Sequence, residues 1–309
     1  MSSAATLANS TTGVTSAFQA ELIAVAAAAN SELDRLLPTV PGPEGRVVEA
    51  MRYAALDGGK RLRPFLAVAA ADLFDVPRAR SMRAAAAVEM VHCYSLVHDD
   101  LPAMDDDDLR RGRPTVHKKF DEATAILAGD ALLTEAFAVL ADPETHPDGA
   151  VRADLVAELA RASGSSGMVG GQMIDLMSAS LTMDEAGLKR LQNLKTGCII
   201  AAACRMGAVL AGAPASTVDI LGSYGMDLGL AFQIADDVLD VESTAAETGK
   251  ATGKDAAAGK ATFVSRVGLE AAKNLAKTLA NQASNHLIIF GNKADFLREA
   301  AGFAVTRRT

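Results

Sequence analysis

Aromatic residues make up only 4% of this 309-residue chain, tryptophan is absent, and there are ten prolines. The hydrophobic half of the composition is dominated by Ala, Leu and Val in long stretches of helical period, which predicts an all-α fold. Only three cysteines occur, Cys93, Cys198 and Cys204, with no C-x-x-C spacing. They read as free buried thiols of a reducing, cytoplasmic compartment. Basic residues are outnumbered, and the net charge of −8 argues against a nucleic-acid partner. No apolar run of about 18 residues escapes charged or polar breaks, so no membrane span is expected. The opening MSSAATLANSTTG has no arginine and fits neither a secretory signal nor a transit peptide. Residues 1–15 are therefore read as a mobile tail and 16–309 as one domain with ample length for a sizeable core.

What the chain does have is concentrated in Val88 to Arg113, VEMVHCYSLVHDDLPAMDDDDLRRGR. An apolar helix with two histidines runs into six aspartates between Asp99 and Asp108, then into Arg110, Arg111 and Arg113. Carboxylate oxygens bind hard cations such as Mg²⁺, and arginine forks bind phosphate oxygens. Acid followed by base thus points to a metal-bridged polyphosphate; alone, the same run reads as a solvated acidic turn. A second acidic cluster, FQIADDVLD (residues 232–240), argues for two facing elements that share one ligand.

The spacings differ in a way that has geometric content. Asp236 and Asp240 are i and i+4, ~40° apart on a helix, and can serve one side of a metal cluster. Asp99 and Asp105 are i and i+6, ~240° apart, and cannot share a helical face. Pro102 ends or kinks the helix, so a distorted turn at Leu101 to Met104 is expected to fold Asp105 back beside Asp99. Asp106 to Asp108 read as outer or solvated charge. His92 lies ~340° from Asp99, on its face and about 10 Å away.

These motifs resemble those of the trans-isoprenyl diphosphate synthases, most closely the bacterial farnesyl type. GGKRLRP, the stretch above, LAGDALL, GGQMIDL, KTG, FQIADDVLD, TGK and GKATF follow one another in family order from about Arg46 to Phe263. The resemblance implies a single-domain, all-α isoprenoid-synthase helical bundle around a deep central cavity, usually a homodimer. A small-residue-rich helix such as Ala123 to Leu140 is the candidate interface, with Gly129 allowing close helix contact.

It also implies roles. Asp99, Asp100, Asp105, Asp236 and Asp240 would hold Mg²⁺, three ions bridging the allylic diphosphate. Lys60, Arg63, His92 and Arg111 would bind isopentenyl diphosphate; Arg110, Lys195, Lys250 and Lys260 match the contacts to the allylic diphosphate (dimethylallyl or geranyl), Lys254 more weakly. The Lys195 carbonyl, Thr196 and Gln233 would stabilise an allylic cation, at a KTG segment expected to interrupt its helix. Tyr94 matches the aromatic floor of short-chain members, although helical geometry alone sets it ~140° from the Asp99 face. A ring there favours a C15 over a C20 product. The two glycines before Lys60 are expected to let the backbone approach a ligand. Gln172 and Asp175, one turn apart, either face the cavity or form a structural polar pair. Ala261-Thr262-Phe263-Val264 stands where the family carries Ser-Thr-Tyr-Pro.

Overall fold

The computed structural model describes residues 16–56, 58–178, 183–242 and 262–306. The tail 1–15 and the expectations on Lys250, Lys254 and Lys260 lie outside the described residues.

Helix α1 (Ala17–Leu36) starts at a capping box in which Ser16 and Gln19 satisfy each other's backbone N–H. Its buried stripe is Phe18, Leu22, Val25, Ala29 and Leu33. Ile23, 100° round from Leu22, falls outside the stripe and is 65% exposed. Helices α2 (Gly45–Ala55) and α3 (Leu62–Asp72) follow, then α4 (Arg78–Asp99). A two-stranded hairpin, β1 (Leu109–Arg110) and β2 (Arg113–Pro114), and the short α5 (Val116–Lys119) lead into α6 (Glu122–Ala141). Helices α7 (Gly149–Ser163), α8 (Met168–Met177), α9 (Glu185–Gln192), α10 (Cys198–Leu210) and α11 (Ala215–Glu242) complete the central set. The chain closes with α12 (Phe263–Val267), α13 (Leu269–His286) and α14 (Asp295–Thr306).

Small residues set the packing. Ala84 to Ala87 on α4 and Ala202 and Ala203 on α10 are fully buried, and their minimal side chains let α4, α3 and α10 pack backbone to backbone. Gly207 of α10 is the extreme case, since a Cβ there would lie 2.4 Å from the Ala71 nitrogen. A second apolar cluster, Leu188, Leu230, Ile234, Phe263 and Ala272, seats α12 and α13 against α11. Phe263, at the divergent ATFV segment, is 1% exposed and fills this cluster.

By length and composition α6 is apolar enough to cross a membrane, with a mean hydropathy of 1.6 over 18 residues. Its buried face, 44% of that window, packs on α4, which is what a core helix of a globular protein does. Cys93 and Cys204 are buried, Cys198 is half-buried, and all three are free thiols.

Candidate active site

Asp99 is the last residue of α4, and the chain turns on itself directly after it. The Leu101 N–H reaches the His98 carbonyl (3.1 Å), Met104 N–H reaches Leu101 (2.9 Å), and Asp105 N–H returns to Asp99 (2.8 Å). Pro102 has no N–H to continue the helix, so the ladder ends there. The expected turn is present, and it sets the Asp105 backbone against that of Asp99. Burial pushes the Asp99 carboxyl up to about 6; the Asp105 charge adds to the rise, while Lys195 opposes it.

Asp100 faces elsewhere. Expected among the metal ligands, it is 3% exposed and both its oxygens accept from Arg110: Nε at 2.8 and 2.9 Å, Nη2 at 2.6 Å. Consecutive residues leave a helix ~100° apart, which aims Asp100 at the hairpin while Asp99 faces inward. Arg111 and Gly112 form the hairpin corner with φ of +53° and +76°, as a two-residue type I′ turn requires. The corner sends the adjacent arginines apart. Arg110 turns back to Asp100, and Arg111 donates to the Gly58 carbonyl (2.8 Å). Its guanidinium lies 2.9 Å from where a Gly59 Cβ would stand, and Gly58 and Gly59 have φ of +79° and +103°. The glycines expected to admit a ligand here admit Arg111.

Arg63 and His92 gather with Arg111. Arg63 Nε is buried without a hydrogen-bond partner among the described residues, and burial pulls the guanidinium below its usual range. His92 is held well below 6.5 by burial and by the charges of Arg63 and Arg111, and is therefore neutral near pH 7. Lys60 rests its ammonium 5.6 Å from the Phe303 ring centre. The Asp236 charge acts on Arg63, which ties the second acidic cluster to this wall.

The opposite wall is built on close backbone contact. Residues Asn193–Gly197 form a π-turn between α9 and α10, closed by Cys198 N–H to the Asn193 carbonyl. The helix is widened by one residue here, where an interruption was expected; such π-turns cluster at functional sites. Gly171 of α8 presses on it, since a Cβ there would stand 2.2 Å from the Lys195 nitrogen. Gly229 of α11 similarly faces Gly197 Cα at 2.8 Å. Lys195 Nζ donates to Asp175 Oδ2 (2.7 Å), so Asp175 faces the site. Thr196 Oγ donates to Gln233 Oε1 (3.2 Å), one turn before Asp236. Gln172 Nε2 and Gln192 Oε1 are buried beside this turn without protein partners among the described residues. Asp237, not anticipated from the spacing, is buried and accepts from Phe263 N–H (2.9 Å), anchoring the start of α12 on α11.

Tyr94 is 6% exposed and meets the His98 ring edge-on at 5.8 Å. Burial first, then the Asp99 charge, pushes its hydroxyl up to about 12. His98 Nε2 lies 3.1 Å from the Ile126 carbonyl, and only a glycine at 129 leaves room for its ring.

Comparison with known proteins bears on this arrangement. Residues 44–288, which carry every element of both walls, match the polyprenyl synthetase family. The chain belongs to the polyprenyl synthetase family. It is 47% identical to the farnesyl diphosphate synthase of Escherichia coli, over 87% of this chain and 91% of that protein. It is 44% identical to geranylgeranyl pyrophosphate synthase 11 of Arabidopsis thaliana, over 84% and 74%. Among solved structures, an FPP/GFPP synthase of Zymomonas mobilis superposes with a TM-score of 0.86 at 46% identity, covering 94% of this chain and 99% of that one. A Helicobacter pylori geranyltransferase complexed with magnesium and isoprenyl diphosphate superposes with 0.80 at 31% identity, covering 95% and 98%.

The acidic residues of this polyprenyl synthetase fit Mg²⁺ on their own chemistry. Asp99 and Asp240 stand at or near the C-terminal ends of α4 and α11, where the helix dipole already disfavours negative charge. A desolvated carboxylate there is stabilised by a cation. Among the described residues, no three His, Cys, Asp or Glu side chains converge to hold an ion unaided. Mg²⁺ usually takes one or two carboxylates and completes its shell with water and substrate phosphate, which is what two separate oxygen-donor sets provide.

Proposed function

We propose that this polyprenyl synthetase joins isopentenyl diphosphate to dimethylallyl and then geranyl diphosphate, releasing pyrophosphate and ending at farnesyl diphosphate. The observation that carries the reading is the pairing of two unlike walls. On one wall the buried Arg63 and a neutral His92 gather with the exposed Arg111; Asp236 acts on Arg63, and Lys195 acts on Asp99. An isopentenyl diphosphate has an anion and no leaving-group chemistry, and it suits the cationic cluster. An allylic diphosphate needs its charge neutralised as it departs, and it suits the acidic side.

Asp99, Asp105 and Asp236, with Asp240 in support, would hold Mg²⁺, three ions in the form we favour. When bound, the metal withdraws charge from the departing pyrophosphate. Arg110, Lys195 and Lys250 clamp that diphosphate. The Lys195 carbonyl and the Thr196 and Gln233 oxygens would stabilise the carbocation that forms as the C–O bond breaks. Lys60, Arg63, His92 and Arg111 orient the isopentenyl double bond so that its electrons form the new C–C bond. The departing pyrophosphate takes the proton lost from the adduct, as the resemblance to the trans-isoprenyl diphosphate synthases implies. Apolar helices leading to both acidic clusters exclude the water that would trap the cation.

The buried Tyr94 ring, whose hydroxyl feels the Asp99 charge, supports a stop at C15. A C20 product is the second reading, favoured by the similarity to a geranylgeranyl synthase reported above. A non-catalytic partner subunit is disfavoured because both acidic clusters are intact, and a terpene cyclase because it has no use for the isopentenyl cluster. We further propose a cytoplasmic homodimer paired through the outer face of α6, where Ile126 and Leu127 are about half exposed.

The test is a product assay with isopentenyl and dimethylallyl diphosphates, with and without Mg²⁺, separating the dephosphorylated alcohols by length. A Mg²⁺-dependent C15 alcohol is expected. A C20 alcohol would keep the chemistry and discard the Tyr94 floor; no product with substrate still bound would leave the partner-subunit reading.

A further inference from the structure

Between Lys60 and Arg63 the chain buries an arginine for which the proposed chemistry has no use. Arg61 is the N-cap of α3 and holds a left-handed φ of +49°, a conformation that disfavours any side chain but glycine. Its guanidinium is 0% exposed and faces the Glu89 carboxylate, itself 3% exposed, at 2.5 Å. Nε donates to Asn30 Oδ1 (2.9 Å) and Nη2 to the Ala55 carbonyl. One side chain thereby ties α1, α2 and α4 to the loop that opens α3.

The geometry says what this tie holds. Residues 58, 59 and 61 all have positive φ, so no regular backbone ladder fixes the loop; Arg61 side-chain bonds do. Lys60 precedes Arg61 on that loop, and Arg63 follows it in the first turn of α3. On α4, Glu89 stands one helical turn before His92 and shares its face. The pair therefore spans the two halves of the cationic cluster, the loop side and the α4 side. The Glu89 charge also acts on Arg63.

We propose that Arg61 and Glu89 are positioning residues for the isopentenyl diphosphate subsite, setting the distance between the Lys60–Arg63 loop and His92 without touching substrate. The inference rests on the function proposed above. A pair that only held the core together would, when broken, weaken both substrates alike. A pair that sets one subsite weakens one.

The experiment uses the full chain with saturating Mg²⁺ and compares Glu89→Gln with wild type in steady state, varying each substrate in turn. The expected result is a KM for isopentenyl diphosphate raised on the order of ten-fold, as a misplacement of less than 1 Å would give. The KM for geranyl diphosphate should stay within about two-fold. Equal changes in both, or none, would overturn the proposal. Should Glu89→Gln fail to fold by circular dichroism, the double variant Arg61→Met/Glu89→Leu replaces the pair by apolar bulk, a change buried pairs often tolerate. It must show the same split, and a wild-type KM for isopentenyl diphosphate in it would equally refute the idea. Arg63→Gln separates the two levels. If it leaves that KM unchanged, the subsite reading itself fails; if it raises the KM while the pair variants do not, only the positioning role fails.

Discussion

Asp100→Asn decides between two jobs for one carboxylate. The family resemblance makes Asp100 a metal ligand, whereas the structure gives both its oxygens to Arg110. The Arg110 side chain is 25% exposed and the Asp100 side chain 4%, so the bond is largely shielded from water. A charge-assisted hydrogen bond of this kind contributes about 1.5–3 kcal/mol, and asparagine keeps one neutral acceptor. If that energy holds Arg110 in the pose that clamps the allylic diphosphate, its loss corresponds to a rise of roughly 10- to 100-fold in allylic KM. Arg110→Gln should show a similar rise, and the double variant should be far from additive, because the two residues act as one unit. The Mg²⁺ concentration for half-maximal rate should hardly move. The assay is steady-state condensation with geranyl diphosphate and Mg²⁺ varied independently. A shifted Mg²⁺ requirement with an unchanged allylic KM would refute the reasoning and return Asp100 to the metal.

Tyr94→Ala should shift the product from C15 toward C20, read by chromatography of the alcohols; an unchanged C15 product would sink the floor assignment. Gly59→Ala should raise the KM for isopentenyl diphosphate and lower the melting temperature, since its Cβ would stand 2.9 Å from the Arg111 guanidinium at a φ of +103°; unchanged kinetics would show that Arg111 is not held there for substrate. For Asp99 the folded pKa, about 6, lies above the ordinary 3.8. Its neutral form is favoured by folding, so its contribution to stability is complete below about pH 4 and is lost as pH rises through 6. Without Mg²⁺, melting temperatures across this window should fall more steeply for wild type than for Asp99→Asn; parallel curves would refute the assignment.

The parts of the site that the sequence makes legible are those whose chemistry is local. Two aspartates at i and i+4 on α11, or a proline after Asp99, carry their geometry in their spacing, and the turn at Leu101 to Met104 follows from it. The direction of Asp100 does not, because it is set by a hairpin whose corner needs positive φ at Arg111, a residue that gives no such signal. The Gly58-Gly59 pair signals close approach but not what approaches, and the structure puts Arg111 there. The π-turn at Asn193–Gly197 leaves only small-residue contacts as a trace, Gly171 and Gly229 on helices more than 20 residues away in either direction. Asp175 on Lys195 needed the packing of α8 on that turn before it could be placed.

The acidic residues of the site fall into two classes by what they face. Asp100 holds Arg110, Asp175 holds Lys195, Glu89 holds Arg61, and Asp237 holds the Phe263 N–H. Asp100, Glu89 and Asp237 sit within one helical turn of a residue in the proposed substrate or metal set, and Asp175 bonds one directly. The arrangement answers a problem that any such site has before substrate arrives. Opposite charges lining one low-dielectric space attract strongly, and an unpartnered arginine or lysine would settle on the aspartates we propose for the metal. A dedicated carboxylate for the cation keeps Arg110 and Lys195 in place while Asp99 stays desolvated, its carboxyl raised to about 6. An acid that holds the protein and one we propose for the metal then come from the same short motif, separated by which way the helix turns them: Asp100 from Asp99, Asp237 from Asp236. A D-D pair supplies both roles at adjacent positions because ~100° of helix is enough to aim one at the protein and the other at the ligand.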